Sequence, residues 1–308
     1  MKQKALIPLI LILSILVPFA VDTYVPSLPA MSKYFFSSPS KIQLTITMYL
    51  IGIGFSQILW GPFSDRFGRK KILLFSIPFF FIGSIFCIFA NSIHLLWIGR
   101  VFQGIGLGAL LFTPGAMTSD AFQGNMVNKV SSYLSFTYSF IPIIAPIIGG
   151  HLQHYFNWQS TFVFLLILSI LIYILIIFAV PETHKPSTSH RLIPKKILKN
   201  YYWFLKNKNF MASVIACSLV WGLILSFSLL CPFIFEKQLS LSPIQYGYSA
   251  LFVGLGFMLG SFINAKAITF CSEKIMTLTG ISLIFVFSIF LFVFMKIFSP
   301  NIYLIIIP

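Results

Sequence analysis

Nine apolar segments, each close to 20 residues long, constrain this chain more than any other feature of its sequence. They cover approximately residues 5–30, 42–63, 72–92, 95–118, 132–155, 158–180, 210–235, 244–265 and 275–298, and a tenth begins at Asn301. About 20 apolar residues in a helix span the ~30 Å hydrocarbon core of a bilayer, whereas strands of a membrane barrel would be about half as long. Lipid offers no partner to unpaired backbone groups. The sequence therefore predicts an all-α polytopic membrane protein with about nine complete transmembrane helices.

The composition also excludes an aqueous fold. Hydrophobic residues make up 58% of the 308 residues and charged residues only 9%, whereas a soluble domain carries about 25% charged residues. The first apolar segment follows Lys2 and Lys4, as the core of a signal peptide would. No small-residue cleavage site closes it before Asp22, so we expect the segment to be retained as the first helix.

The basic residues are distributed unevenly between the two sides of the predicted bundle. With the N-terminus inside, sixteen lie on the inner side: Lys2, Lys4, Arg66, Arg69, Lys70, Lys71, Lys129, Lys185, Arg191, Lys195, Lys196, Lys199, Lys206, Lys208, Lys266 and Lys274. Four lie outside, namely Lys33, Lys41, Lys237 and Lys296. Cytoplasmic loops are enriched in Lys and Arg, so we predict a bacterial inner-membrane protein with a cytoplasmic N-terminus. The net charge of +15 then reflects topology and lipid contact, and we expect no nucleic-acid partner.

A long, basic and polar connection divides the chain. Residues 181–209 separate an N-terminal six-helix half, residues 1–180, from an incomplete C-terminal half, residues 210–308. Many transporters consist of two related six-helix halves. On that plan the second half ends inside its tenth span, roughly 80 residues short of the first half's length. We therefore expect that this chain does not transport by itself.

Five segments carry a resemblance to a known family. The loop between the second and third spans, Gly61 to Leu74, reads GPFSDRFGRKKILL and resembles the loop motif of the major facilitator superfamily. Four further segments resemble those of one branch of that superfamily, the bicyclomycin-resistance (Bcr/CflA) type of drug:proton antiporters. They are DTYVPSLP from Asp22, RVFQG from Arg100, APIIGG from Ala145 and SPIQYG from Ser242. The resemblance implies the major facilitator architecture and proton-coupled export of small amphipathic compounds.

The loop motif also has a direct physical interpretation. Asp65 precedes four cations in a tight turn, so it can pair with Arg66 or Arg69 or place its charge at a helix N-terminus. For Arg69 to Lys71, anchoring by the positive-inside rule is the favoured alternative, whereas Gly61, Asp65 and Gly68 are expected to make a specific helix contact. In the family, the aspartate engages the eleventh helix of the other half as a gate on the cytoplasmic side.

Asp22 and Arg100 are the most costly residues of the predicted spans. An ionisable side chain in a membrane must pair or face water. At 1.5 Å per residue, Asp22 lies roughly 12 Å and Arg100 roughly 9 Å below the outer surface, so the two could meet. A carboxyl subject to both burial and a nearby cation suits a proton carrier. The alternative is that Asp22 only caps the outer end of the first helix near Pro26.

Small residues and prolines mark the fourth and fifth spans. The fourth span contains the Gln103-Gly104 pair, and the fifth contains Pro142, Ala145, Pro146, Gly149 and Gly150. Close helix packing explains such residues without any further role. The family resemblance implies that these fifth-span residues form an antiporter-like motif, which lies at a moving helix interface and prevents uncoupled leakage through the protein. Ala145 stands where many family members carry glycine.

The remaining residues indicate no catalytic or metal centre. The four cysteines lack metal-ligand spacing, and the pair His151 and His154 shares a helix face without a third ligand nearby. Asp120 more readily pairs with a loop cation than with cargo. No phosphate-binding glycine loop and no hydrolase or zinc-protease motif occurs. We therefore predict no enzyme, no cofactor and no metal. The expected partners are a small-molecule substrate, protons and membrane lipids, and the sequence does not indicate the oligomeric state. Three alternatives to drug export stay open: an importer, a metabolite exporter or a non-transporting remnant.

Overall fold

The computed structural model describes residues 3–184, 194–267, 270 and 272–297. The chain forms α1 (Gln3–Asp22), a 3₁₀ turn (Val25–Ser27), α2 (Leu28–Tyr34), α3 (Pro39–Phe67), α4 (Arg69–Ile88), α5 (Ile93–Ala121), α6 (Asn125–Tyr155), α7 (Gln159–Phe178), α8 (Pro194–Lys206), α9 (Lys208–Phe233), a π turn (Ile234–Gln238), α10 (Pro243–Ala267) and α11 (Glu273–Ile297). No strand occurs among these residues. The all-α prediction is confirmed.

The membrane-spanning pattern follows the predicted segments. Seven stretches in the described part of the chain are long and apolar enough to cross a bilayer: Ala5–Tyr34, Pro39–Phe67, Arg69–Ile88, Ile93–Ala121, Asn125–Tyr155, Gln159–Phe178 and Lys208–Glu236. Helices α10 and α11, of 25 residues each, occupy the eighth and ninth predicted segments. The predicted tenth segment, residues 301–308, lies outside the described residues.

The first predicted span is broken near its end. Helix α1 stops at Asp22, and Pro26 lies in the 3₁₀ turn before the short helix α2. A proline supplies no backbone N–H and fits the first turn of a helix better than its interior. The chain from Val25 to Pro29 is buried although it lies beyond the end of α1, so other elements must cover it.

Helices α3, α4 and α5 form the most tightly packed part of the core. The α3–α5 crossing depends on Gly52 and Gly104, because a Cβ on Gly104 would collide with the Tyr49 carbonyl and one on Gly52 would press on Val101. Close crossings of membrane helices need such small residues. The Trp60 indole also donates a hydrogen bond to the Ile105 carbonyl over 2.9 Å, which ties α3 to α5.

The bundle has two distinguishable ends. The ends of α3, α5 and α7 meet the starts of α4 and α6 at what we call the basic end, which comprises residues 66–71, 120–125 and 178–184. The other end, here the opposite end, comprises residues 22–38, 89–92, 156–158 and 234–242.

Helices α6 and α10 are in contact over their halves nearest the opposite end. There a Cβ on Gly150 would collide with the Pro243 carbonyl, and one on Gly247 would press on the Pro146 carbonyl. Further along α10, Gly256 and Gly260 have no neighbouring atom within 4 Å of such a Cβ. Gly254, nearer the middle of α10, packs against Ile143 of α6, so the contact runs from the opposite end to the middle of both helices.

Helix α8 lies in the connection between α7 and α9 and carries basic and aromatic residues. Its Tyr201 hydroxyl donates a hydrogen bond to the Ile58 carbonyl of α3 over 3.0 Å, while Leu198, Trp203 and Leu205 are exposed. Partial burial raises the pKa of the Tyr201 phenol, and the negative charge of Asp65 raises it further. The division into residues 1–180, 181–209 and 210–308 stays a prediction.

Candidate functional site

A fully buried arginine occupies the centre of the N-terminal helices. Arg100 projects from α5 with none of its surface exposed. Its Nη1 donates to Gln103 Oε1 over 2.8 Å and to the Ala20 carbonyl of α1 over 3.2 Å. The Gln103 amide nitrogen in turn donates to Ser84 Oγ over 2.8 Å. Arg100 and Gln103 lie one turn apart on the same face of α5, and their hydrogen bonds hold the guanidinium between α1, α4 and α5.

Three aromatic rings surround the same guanidinium. Its carbon lies 4.8 Å from the centroid of Tyr24, 4.4 Å from that of Tyr49 and 5.9 Å from that of Phe162. Aromatic faces attract cations, and the attraction grows when water is excluded. Arg100 Nε and Nη2 have no hydrogen-bond partner in the described part of the chain. The charge is thus stabilised mainly by neutral groups.

Asp22 does not form the expected contact with Arg100. No ion pair to Asp22 is present among the described residues, and Arg100 bonds instead to the backbone of Ala20, two positions earlier on α1. The Asp22 carboxylate acts electrostatically on Tyr49 and on Tyr246 of α10. Sequence depth placed the two residues at a similar level, but α1 presents the Ala20 carbonyl rather than the Asp22 carboxylate to the Arg100 guanidinium.

A second group of ionisable residues gathers at the basic end. Arg69 is buried and bonds to Asp65 over 2.6 Å, to Asp120 over 2.9 Å and to Ser64 Oγ over 3.0 Å. His184 places Nδ1 3.7 Å from Asp120 Oδ2 and Nε2 3.1 Å from the Asp65 carbonyl. We call Asp65, Arg69, Asp120, Glu182 and His184 the basic-end cluster.

Glu182 closes the N-terminus of α4. Its carboxylate accepts hydrogen bonds from the Arg69 and Lys70 backbone N–H groups over 2.8 and 3.2 Å. A negative charge satisfies the free N–H groups of a helix start and its positive dipole end. Gly68, with φ of +100°, makes the turn before α4, and a Cβ there would collide with this carboxylate.

These contacts correct part of the loop-motif prediction. Arg69 is an ion-pairing residue of the protein interior rather than a membrane anchor, and Glu182 rather than Asp65 supplies the charge at the helix start. Gly61 makes no close contact, since nothing lies within 4 Å of a Cβ placed there. Arg66 stacks over the Phe67 ring at 5.1 Å. Asp120 pairs with a loop cation as expected.

The fifth-span residues lie where α6 meets its neighbours. Ala145, Pro146, Gly149 and Gly150 are buried, and Pro142 is partly exposed. A Cβ on Gly149 would collide with the Thr23 carbonyl, next to Asp22. This surface therefore packs against both the α1 end and α10.

The histidine pair on α6 makes other contacts. His151 Nδ1 lies 2.8 Å from the Ile147 carbonyl, and its ring packs near Tyr248. Within the part of the chain that was searched, no group of three His, Cys, Asp or Glu residues could hold a metal ion.

Sequence reasoning missed several residues of both groups. The aromatic cage of Tyr24, Tyr49 and Phe162 was hidden among many aromatic residues, although Tyr24 lies two positions after Asp22. Glu182 and His184 were part of the basic connection, and only their position directly after the sixth span pointed to them.

Comparison with known proteins identifies the family. The model of the Major Facilitator Superfamily matches residues 10–307. The chain belongs to the Major Facilitator Superfamily. Among its superfamily relatives, a bicyclomycin resistance protein homolog of Haemophilus influenzae is 30% identical over 258 residues, 84% of this chain and 65% of that protein. The multidrug resistance protein MdtL of a Shewanella species is 27% identical over 85% of this chain and 65% of its own length. The resemblance to the bicyclomycin-resistance type is confirmed.

Solved structures agree with the superfamily fold. The crystal structure of a D-xylose-proton symporter matches 86% of this chain with a TM-score of 0.63 at 18% identity, covering 69% of that chain. The major facilitator architecture predicted from the motifs is therefore confirmed. The chain spans 65% of the length of the two superfamily relatives above.

Proposed function

We propose that this protein works as a secondary transporter in the bacterial cytoplasmic membrane, exporting small amphipathic compounds in exchange for protons. The basic end faces the cytoplasm and the opposite end faces outward. The superfamily is one of transporters, and the names of two relatives refer to resistance to bicyclomycin and to multiple drugs. That substrate class is carried over here as part of the proposal.

The observation that carries the proposal is an aspartate in a membrane helix without a fixed cation beside it. Asp22 ends α1 at the contact between the halves, and Arg100 is bound to Gln103 and to the α1 backbone instead. A carboxyl without a cation partner keeps a proton when it is buried and releases it when water arrives. Such a group can couple proton uptake to a conformational change.

The helix packing supports alternating access. Helices α6 and α10 close the opposite end through Gly150 and Gly247. In this architecture one half rocks against the other around a central site. The contact at that end fits a form of the protein that is closed to the outside.

Ethidium efflux from energised cells tests the proposal. Cells produce either this chain alone or this chain joined to the C-terminal segment of the Haemophilus relative, so that the difference in length between the two proteins is not mistaken for a difference in function. We expect Asp22→Asn to abolish gradient-dependent efflux and Asp22→Glu, which keeps a titratable group, to retain part of it. Membrane insertion, measured by immunoblot, should be equal in both variants.

The outcomes separate the alternatives. Wild-type efflux by Asp22→Asn would reduce Asp22 to a helix cap. Ethidium accumulation that exceeds the control cells and depends on the gradient would indicate import, and no gradient-dependent movement in either form would contradict transport.

A further inference from the structure

Several buried polar atoms near the opposite end have no hydrogen-bond partner. Within the described residues, such atoms at this end belong to Thr23, Ser27, Gln153, Trp158 and Glu236. Buried polar groups are normally paired, and each exception calls for an explanation. For Glu236, in the turn between α9 and α10, a surface that is wetted in one conformation and closed in another supplies one, because water pairs the atom whenever the surface opens.

Glu236 is the only carboxylic acid among these five residues. It lies in the π turn Ile234–Gln238 that follows α9, and its Oε1 has no hydrogen-bond partner among the described residues. π-helical turns are rare and often occur at functional sites. An ionised carboxylate with an unpaired oxygen is expensive to bury, whereas the protonated acid is much less so.

Among the side chains that the structure describes, few charges act on Glu236. Lys33 on α2, which is exposed, is the cation that acts on its carboxyl, and Tyr246 on α10 experiences the charges of both Glu236 and Asp22. Cys231 on α9 is the other titratable group that acts on Tyr246. Tyr246 therefore lies in the electrostatic reach of two carboxyls, one from each half.

Space for water exists next to this tyrosine. A cavity of about 30 Å³ lies between α9 and α10, with Tyr246, Phe235 and Cys231 in its wall. A cavity needs about 10–15 Å³ of such volume to hold one water molecule. The cavity is therefore large enough for a water molecule beside the Tyr246 and Ser249 side chains, while the rest of its wall is mostly apolar.

From these observations we propose that Glu236 is a proton-binding site of the outer contact between the halves, occupied when that contact closes and emptied when it opens. The step is a simple acid–base equilibrium in which a hydronium ion from outside protonates the carboxylate and leaves water. This proposal rests on the membrane orientation given above. Because Glu236 gains and loses its proton on the same side of the membrane, it makes closure of the outer contact depend on the outside pH and is separate from the proton-coupling role proposed for Asp22.

Carboxyl-selective ¹³C NMR tests the protonation state directly. The chain contains three glutamates, Glu182, Glu236 and Glu273, so a ¹³C-carboxyl glutamate label in the full chain gives three signals. Glu182→Gln and Glu273→Gln assign them by elimination without altering Glu236. We expect a neutral-acid signal for Glu236 at neutral pH. An ionised Glu236 under these conditions overturns the proposal.

Thiol labelling tests the link to closure. Cys231 is 5% exposed in the outer contact, and its reaction with a membrane-impermeant maleimide reports opening. The ratio of wild-type to Glu236→Gln rates at each pH cancels the intrinsic pH dependence of the reagent. We expect this ratio to rise several-fold from acidic to alkaline pH, with Glu273→Gln behaving as the wild type. A ratio that is independent of pH overturns the proposal.

Neither measurement requires transport. A failed efflux assay with a protonated Glu236 therefore contradicts only the proposed function, whereas normal efflux with an ionised Glu236 contradicts only this inference.

Discussion

Gln103 supplies the side-chain oxygen that accepts a hydrogen bond from the buried Arg100 guanidinium. Removing that amide leaves the buried guanidinium without its 2.8 Å acceptor and frees Ser84 as well. Hydrogen bonds to charged groups contribute about 1.5–3 kcal/mol, so we expect Gln103→Ala to lower the free energy of unfolding by about 2 kcal/mol. Denaturant unfolding of the purified chain, followed by tryptophan fluorescence, measures this change. The exposed Gln123→Ala variant serves as the control, and equal stability of the two variants would contradict the assignment.

Gly68 and Gly61 lie in the same loop motif but differ in what they do. Gly68 has φ of +100° and faces the Glu182 carboxylate, whereas nothing lies near Gly61. A side chain in such a backbone conformation costs about 1–3 kcal/mol, so Gly68→Ala should destabilise the protein by at least this amount. Gly61→Ala, in a helix, should be neutral or slightly stabilising. Identical unfolding curves for the two variants would show that the turn imposes no constraint.

Arg100 could be singled out from the sequence because a charge inside a membrane span is costly, but the residues that contact it could not. Residue counting gives the depth of a side chain along a helix and says nothing about rotation around the helix axis. Asp22 and Arg100 therefore appeared to be partners, whereas α1 presents Ala20 to Arg100. The same limit hid Glu182, because its contact with Arg69 spans 113 residues of sequence.

At the scale of helices, the α6–α10 contact closes one end of the bundle. Gly247 lies within this contact, and Gly256, nine residues further along α10, faces open space. Valine at position 247 should force the helices apart and raise the labelling rate of Cys231 several-fold, whereas Gly256→Val should leave it unchanged. Mass spectrometry of the labelled peptide distinguishes Cys231 from the other cysteines. A slow rate in both variants would mean that the contact tolerates the added volume.

Helix positions were easier to predict than helix contacts. Hydrophobic length alone located the spans, because lipid requires about 20 apolar residues wherever a helix crosses. The first span was predicted to run to residue 30, and only the alternative that Asp22 ends the helix near Pro26 anticipated the break. Pro26 marks the break in the sequence, whereas the packing of this turn against α6, α9 and α10 is visible only in the structure.

At the scale of the whole molecule, the distribution of charge predicts the orientation in the membrane. By the sequence count, sixteen Lys and Arg residues belong to the side of the basic end and four to the opposite side, and positively charged loops are retained in the cytoplasm.

Fusions at chosen positions test this orientation. Alkaline phosphatase, which is active only outside the cytoplasm, should be inactive after Lys196 and active after Asn91 or Asn157, in the two loops at the opposite end. Green fluorescent protein, which is fluorescent only when it folds inside, should give the reverse pattern at the same positions. Comparable expression of all fusions is verified by immunoblot. Phosphatase activity after Lys196 would invert the membrane orientation, place Glu236 and the outer contact in the cytoplasm, and require the direction of proton uptake to be reversed.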